Sequence, residues 1–383
     1  MMKGHLEKPL LYLTEMSEEV AIVASETTKF TRNDLSIYEL ACDPCRKIFR
    51  KTNLDRNDID SVVLSTCSTL QYTSSIVSEM LGLKPKNSFR IDNLCSSGTS
   101  AIISTYAEIA AGLCDCALVI GAESGTNYAA KRLQWDLTRG SFNLPIHWAS
   151  LFARTHMRKF GTTEEQMASV SVKNHRNSSK NPLALFRNKV TIEDVMKSRK
   201  ISDPIKMLDC SYVCTGSSCI LLASKMKAKE LTDNPVWISG IGQKTICASL
   251  SHLLSRGKIG LESTQEAARE AYKMARTNPQ DIDVVELHDA FTIMEIMAYE
   301  DLFFTSKGEG GKFVEQEQVS VNPRGGLLGC GHPIGCTGVA QTAEIAAQLA
   351  GRAGKTQIKG CKTGLIHNMA AAGSSSSVII LRS

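Results

Sequence analysis

Apolar positions along the chain fall into two similar series of short runs separated by amphipathic stretches. In the first series, Val20 to Ser25 (VAIVAS) predicts a strand, Leu35 to Lys51 a helix, and Ile59 to Ser65 a second strand. Pro44 lies inside that helical pattern and predicts a kink or interruption, because proline has no N–H for the helical ladder. Tyr72 to Leu81 then predicts a helix, Ser88 to Ile91 a short strand, Cys95 to Leu113 a long apolar helix, and Cys116 to Gly121 (CALVIG) a buried strand. Strands alternating with helices imply an α/β protein whose mainly parallel sheet is covered on both faces.

A comparable series returns after residue 230. It comprises Val236 to Gly240, a helix from Ser263 to Arg276, the strand Val284 to Leu287, helices near Phe291 to Phe304 and Thr337 to Ala350, Gly364 to Ile366, and the strand Ser377 to Leu381. The halves share a phrase: Asp58-Ile59-Asp60 precedes Val62-Val63 as Asp281-Ile282-Asp283 precedes Val284-Val285. This reads as an internal duplication. Residues 1–122 and 210–230 form the first half, 231–383 the second, and the polar, basic, irregular stretch 123–209 is an excursion from the first half.

Composition narrows the class. With 383 residues, 43% apolar and 22% charged, the chain predicts two to three compact units, at roughly 150 residues each, and a folded soluble protein. No run reaches the roughly 18 uninterrupted apolar residues of a membrane span. Met1 to Leu10 carries Lys3, Glu7 and Lys8 without the apolar core of a targeting signal, so the expectation is a cytoplasmic protein with no membrane partner. The 13 cysteines are odd in number and scattered, which reads as reduced thiols. A net charge of +5 does not announce a nucleic-acid protein, and no nucleic-acid partner is expected. The charge is uneven, however: Arg154 to Lys206 holds 12 Lys or Arg against 5 Asp or Glu. A phosphate-bearing small ligand suits that stretch better than a polynucleotide.

Candidate chemistry centres on one cysteine and three histidines. In Asn93-Leu94-Cys95-Ser96-Ser97-Gly98, Cys95 stands between a strand and the first turn of a helix, where unpaired N–H groups favour a thiolate. Position alone leaves Cys95 open between a nucleophile and one more small buried residue. His332 lies in Gly329-Cys330-Gly331-His332-Pro333-Ile334-Gly335-Cys336-Thr337-Gly338, whose glycines permit close backbone approach, and an imidazole beside a thiol can take its proton. His288 follows the strand VVEL at its carboxyl end, and His367 with Asn368 follows Gly364-Leu365-Ile366 in the same manner. Cys42-x-x-Cys45 has no second pair to complete a zinc site, and no metal is expected. Neither G-x-G-x-x-G, nor a Walker loop, nor G-x-S-x-G is present, so no dinucleotide or nucleotide cofactor is expected and a serine-hydrolase elbow is lacking.

Taken together these residues resemble the thiolase family over nearly the whole chain. Asn93 to Gly98 resembles its nucleophile block, Gly121 to Ser124 the glycine-rich strand end that follows, and Asn322 to Gly338 (N-P-R-G-G and G-H-P-I-G-C-T-G) its most specific signature. His288-Asp289-Ala290-Phe291 is similar to the H-D-x-F block of the sterol-carrier-protein type and archaeal thiolases, and Lys159 through Pro204 to that subgroup's loop domain. The resemblance implies a five-layered αβαβα fold of two similar halves, each with a mixed, mainly parallel sheet. It implies acyl transfer between CoA thioesters: Cys95 would carry the acyl group, His332 would activate it, and a second acyl-CoA would lose an alpha proton and attack. The start of the Cys95 helix and backbone N–H groups near Gly373 could serve the acyl-enzyme oxygen.

The expected reaction is the interconversion of two acetyl-CoA with acetoacetyl-CoA and CoA. The alternatives are a longer-chain 3-ketoacyl-CoA thiolase and a non-catalytic acyl-CoA-binding subunit. CoA phosphates would meet the cations of 154–206. The resemblance also implies a homodimer or homotetramer and a complex with an HMG-CoA synthase and a small zinc-ribbon protein. One departure stands out: where biosynthetic thiolases place a second cysteine in C-x-G-G-G, this chain has His367-Asn368-Met369-Ala370-Ala371-Ala372-Gly373, and residue 290 is Ala. His367 or His288 is therefore the expected acid/base.

Overall fold

The computed structural model describes residues 19–52, 54–125, 144–246, 260–316 and 318–383. The segment Met1 to Leu10, residues 126–143 of the excursion and residues 247–259 of the second half lie outside them. The first series runs β1 (Val20–Thr27), α1 (Ile37–Lys51), β2 (Ser61–Ser65), α2 (Thr73–Met80), β3 (Asn87–Ile91), α3 (Ser97–Ala110) and β4 (Cys116–Glu123). The excursion contributes α4 (Pro145–Phe160), α5 (Glu164–Ser178), α6 (Ile192–Lys197) and a small hairpin of β5 (Lys200–Ser202) and β6 (Ile205–Lys206). The chain then returns through β7 (Gly216–Ser224) and α7 (Lys225–Leu231). The second series is β8 (Val236–Thr245), α8 (Glu262–Ala275), β9 (Val284–Glu286), α9 (Thr292–Asp301), α10 (Gly310–Gln316), β10 (Ser320–Val321), α11 (Gly326–Cys330), α12 (Thr337–Leu349), β11 (Thr363–Ala370) and β12 (Ser375–Arg382).

The duplication expected from the shared phrase is explicit in the sheet order, β3-β2-β4-β7-β1-β8-β12-β11-β9-β10. Read outward from the centre, the two arms match strand for strand. In each arm the first strand pairs antiparallel with the last, the last pairs antiparallel with the fourth, and the remaining pairs are parallel. Within each arm only β7 or β12 runs against the other four strands, so each half is mixed but mainly parallel. The arms are joined into one sheet by Ala21 opposite Trp237 and Ile22 opposite Val236.

Residue alternation along β1 shows how the layers arise. Ala21 and Val23 pack with α1 and its neighbours (Ile48, Val62, Leu118), whereas Val20 and Ile22 pack inward with Ile102 of α3 and Val339 of α12. Period-two alternation of this kind requires an apolar layer on both faces. On the far side, Leu365, Val378 and Ile380 pack with α8 and α9 through Ala267, Ala271 and Met294. The order is therefore helices, first half-sheet, α3 with α12, second half-sheet, helices: the expected αβαβα layers.

Two expectations change. Helix α1 continues through Pro44, whose neighbours Leu40, Ala41, Cys42, Cys45 and Ile48 are all buried. Burial of that whole face offsets the one ladder bond proline removes. The excursion is also not irregular, since it holds three helices. Their boundaries come from capping boxes at Thr163 with Gln166 and at Thr191 with Asp194, and from Gly161 in the left-handed region (φ 76°) ending α4. Although inserted in the first half, the excursion packs on the second. Trp148, Phe152 and Met167 share one core with Phe291 and Met297, and the Trp148 and Phe291 rings lie 5.4 Å apart edge to face. Among the described residues no helix is long and apolar enough to cross a membrane.

Candidate active site

Cys95 lies in the turn between β3 and α3. Leu94 adopts φ 48°, the N–H of Ser96 donates to the Asn93 carbonyl at 3.0 Å, and that of Ser97 to the Leu94 carbonyl at 3.1 Å. A left-handed non-glycine residue costs of order 1 kcal/mol, and the Ser97 hydroxyl fixes it by donating to the Leu94 carbonyl at 2.6 Å while accepting from the Asn93 N–H at 2.7 Å. Helix α3 thus begins two residues beyond the cysteine rather than at it, leaving the side chain free of the helical turn.

His332 approaches from the other half. Its N–H donates to the Tyr212 carbonyl at 2.8 Å, and Gly331 (φ 93°) allows the approach, because a Cβ there would lie 2.6 Å from the Cys214 sulfur. The His332 Nε2 is 3.3 Å from Cys95 Sγ, and its Nδ1 is 2.7 Å from Thr337 Oγ1. The Thr337 hydroxyl donates to the Pro333 carbonyl at 3.3 Å, so it accepts from Nδ1–H. That assigns the proton to Nδ1 and leaves the Nε2 lone pair facing the thiol. The sequence signal for Thr337 is its place five residues after the histidine within G-H-P-I-G-C-T-G.

His288 completes the cluster, its ring 5.2 Å from that of His332 and nearly perpendicular to it. Gln341 Nε2 donates to the Leu287 carbonyl at 2.9 Å, so its Oε1 accepts from Asn368 Nδ2 at 2.8 Å. The same Asn368 amide donates to His288 Nδ1 at 3.2 Å. His288 therefore carries its proton on Nε2, as a donor rather than a base. Next to it, Asp289 accepts from the Leu327 and Leu328 N–H groups at 2.7 and 3.2 Å and from Asn174 at 2.7 Å, tying this loop to α11 and α5.

Burial sets the proton affinities. It pushes the Cys95 thiol up to about 12, with the carboxylate of Glu123 adding to the effect. Desolvation thus opposes the thiolate expected from the helix start, and the resting group is a thiol hydrogen-bonded to an imidazole. Burial, followed by the nearby Arg324 charge, lowers His332 to about 3. His288 is lowered by burial and then by the two neighbouring imidazoles. Glu123, buried against the N–H groups of Cys67 and Gly335 at 3.0 and 3.1 Å, is raised to about 7, chiefly by burial.

Cys95, His288 and His332 open onto one cavity of about 610 Å³. Its walls are largely apolar, with Leu94, Ile146, Trp148, Leu208, Phe291 and Met369 among them, and Arg32 stands over the Phe186 and Tyr212 rings at 5.2 and 4.9 Å. Ala371 and Ala372 line the wall with φ 47° and 60°, a left-handed pair where glycine would be unstrained.

His367 is not part of this lining. It is fully buried on β11, its Nε2 is 3.1 Å from Thr264 Oγ1, and burial lowers it to about 3. The structure places it beside α8, where it does not reach the cavity, so it is withdrawn as a candidate acid/base. None of the cations of 154–206 lines the cavity either; Arg187 and the pair Arg199-Lys200 flank the lining residues Phe186 and Ile201. Lys173 and Lys206 of that stretch are instead held by Glu295 and Glu164. The donor atoms of Cys95, His288 and His332 lie within 4.8 Å of one another, the one cluster among the described residues able to hold a metal. With the His332 lone pair turned to the sulfur, the set fits a nucleophile and base better than ligands spread about a cation.

Comparison with known proteins bears on the whole chain. Residues 20–225 match the family model "Thiolase, N-terminal domain" and residues 247–383 "Thiolase C-terminal domain-like". The chain is 36% identical to acetyl-CoA acetyltransferase of Methanothermobacter thermautotrophicus, over 94% of this chain and 99% of that protein. It is 30% identical to sterol carrier protein 2 of Bos taurus, over 94% of this chain and 71% of that one. Among solved structures, the Ltp2-ChsH2(DUF35) aldolase superposes with a TM-score of 0.85 at 24% identity, covering 96% of this chain and 98% of that one. Human mitochondrial 3-ketoacyl-CoA thiolase in complex with CoA superposes with a TM-score of 0.75 at 19% identity, over 96% and 98% of the two chains.

Proposed function

This chain belongs to the thiolase family and is an acyltransferase, and we propose that it transfers acyl groups between CoA thioesters through an acyl-Cys95 intermediate, joining two acetyl-CoA into acetoacetyl-CoA and CoA and running the reverse. The observation that carries the reading is the chain Pro333 carbonyl, Thr337 hydroxyl, His332, Cys95. As Cys95 attacks the thioester carbonyl, its proton passes to His332 Nε2 and then to the departing CoA sulfur, which leaves an acyl thioester on Cys95 and a neutral imidazole. His288 Nε2–H is the donor for the thioester oxygen, whose negative charge grows in each step.

The second half-reaction needs a base for the alpha proton of the incoming acetyl-CoA. With His367 outside the cavity and His288 protonated on Nε2, that role falls to His332, whose lone pair acylation of the sulfur sets free. The carbanion attacks the acyl carbon, the new C–C bond forms, and Cys95 leaves and regains its proton from His332. CoA phosphates are assigned to the cavity's outer rim near Arg187 and Arg199, since Lys200 beside them is held by Asp203 at 2.7 Å.

A second reading, a longer acyl group, is favoured by the apolar walls around Cys95, which exceed what an acetyl group needs. A protein partner is also part of the proposal, supported by the likeness to the solved Ltp2-ChsH2(DUF35) aldolase, whose name joins two components. Mass spectrometry after mixing with acetyl-CoA should show one acetyl group, absent in Cys95→Ser, and added CoA should discharge acetoacetyl-CoA enolate absorbance. Hydrogen–deuterium exchange at the acetyl-CoA methyl should persist in His367→Asn and vanish in His332→Ala; the reverse pattern would refute the assignment of the base.

A further inference from the structure

A second cavity of about 430 Å³ lies among β1, the segment after α5 and α12, separate from the Cys95 cavity. The two meet the same loop at neighbouring positions: Cys330 lines the second, His332 the first. Arg324 lines the second cavity while only 3% exposed. Its Nε donates to Glu286 at 3.0 Å and its guanidinium carbon sits 5.6 Å from the centre of the Phe30 ring, yet its Nη2 is buried without an acceptor. A buried guanidinium N–H left unpaired is costly, and an oxyanion is the acceptor whose geometry suits it.

The remaining lining holds three cations, Lys51, Arg352 and Lys355, and two carboxyl groups, Glu26 and Glu344. Lys51 is taken up by Glu26, and the carboxyl of Glu344 is engaged by Gln348 and Thr356 at 2.9 and 3.0 Å. Arg352 and Lys355 stand exposed at the rim and have no ion-pair partner among the described residues. One buried cation with a free donor, two cations at the entrance and a volume in the range of metabolite sites make a built anion pocket.

We propose that this cavity binds a small oxyanion, a carboxylate or phosphate, with Arg324 as its buried anchor and Arg352 and Lys355 as its rim. The proposal does not rest on the thiolase chemistry.

The test is thermal unfolding of the full chain, with CoA saturating so that its own phosphate positions are filled. Inorganic phosphate and succinate are titrated separately, with chloride holding ionic strength constant. The expected result is a saturable rise in Tm for at least one anion, and which one saturates tells phosphate from carboxylate. The midpoint should move at least tenfold higher in Arg352→Ala with Lys355→Ala, substitutions at exposed positions that leave the core intact. Saturation should disappear in Ala347→Phe, which fills the cavity. No saturable response in the unsubstituted protein, or the same midpoint in all three, would overturn the proposal and leave the cavity to water.

Discussion

The two halves share one topology but contribute opposite chemistry. In the first, residues 92–96 connect β3 to the central helix α3 and carry Cys95; in the second, residues 322–336 connect the equivalent strand β10 to the equivalent helix α12 and carry His332. The first connection is short and ends at the helix start. The second is longer, so it folds back and delivers an imidazole to the other half's sulfur. What brings the two connections together is a pair of glycines at matching places: a Cβ on Gly98 would lie 2.6 Å from the Val339 nitrogen and 2.9 Å from the Gly338 Cα, and one on Gly338 would lie 2.5 Å from the Thr99 nitrogen. Duplication thus supplies two equivalent helix starts, and the difference in loop length divides nucleophile from base.

That division can be broken from the imidazole side first. His332→Ala should lower kcat by about 10³-fold, since it removes the group that handles every proton, while KM for acetyl-CoA stays within a few-fold. His288→Ala should lower kcat by about 10²-fold, the cost of one oxyanion donor, and should still form acetyl-Cys95 in a mass spectrum, only more slowly. A variant that lost acylation altogether would show His288 to be part of the base instead.

Gly98→Ala strikes the contact between the halves, not the chemistry. Its methyl meets backbone that cannot swing aside, so denaturant unfolding should register a loss of about 2–3 kcal/mol, against a few tenths for a substitution at an exposed position. The smallest effects sharpen the comparison. Because His332 is lowered to about 3 from 6.5, its base form persists on acidification, and kcat/KM should show no acid limb near pH 6.5. A limb at that pH would mean a solvated imidazole. His367→Asn, on the strand surface facing α8, should change kcat by less than about threefold.

Several of these features were legible in the residues. VAIVAS and CALVIG became β1 and β4 because apolar runs of that length between turn residues have few other ways to bury themselves. The repeated Asp-Ile-Asp phrase marked the matching entries to β2 and β9, and the glycines around His332 marked close backbone approach. The helices of 145–197 were missed because polar residues break their apolar stripe, and their caps matter only once Trp148 and Met167 have a second half to pack against. Gln341 carried no signal of its own, and the places of Thr337 and Asn368 beside histidines gave no role, since a hydroxyl or amide acquires one only from the partner it meets.

The sequence by itself determined the order of elements, the duplication, and the residue types available for chemistry, because local periodicity and turn residues act over short spans. Tertiary structure alone decided which histidines face the sulfur, which nitrogen of each carries the proton, and that burial keeps Cys95 a thiol at rest. Those outcomes depend on hydrogen bonds and desolvation between segments more than 200 residues apart in the case of Cys95 and His332, a distance across which no local pattern carries information.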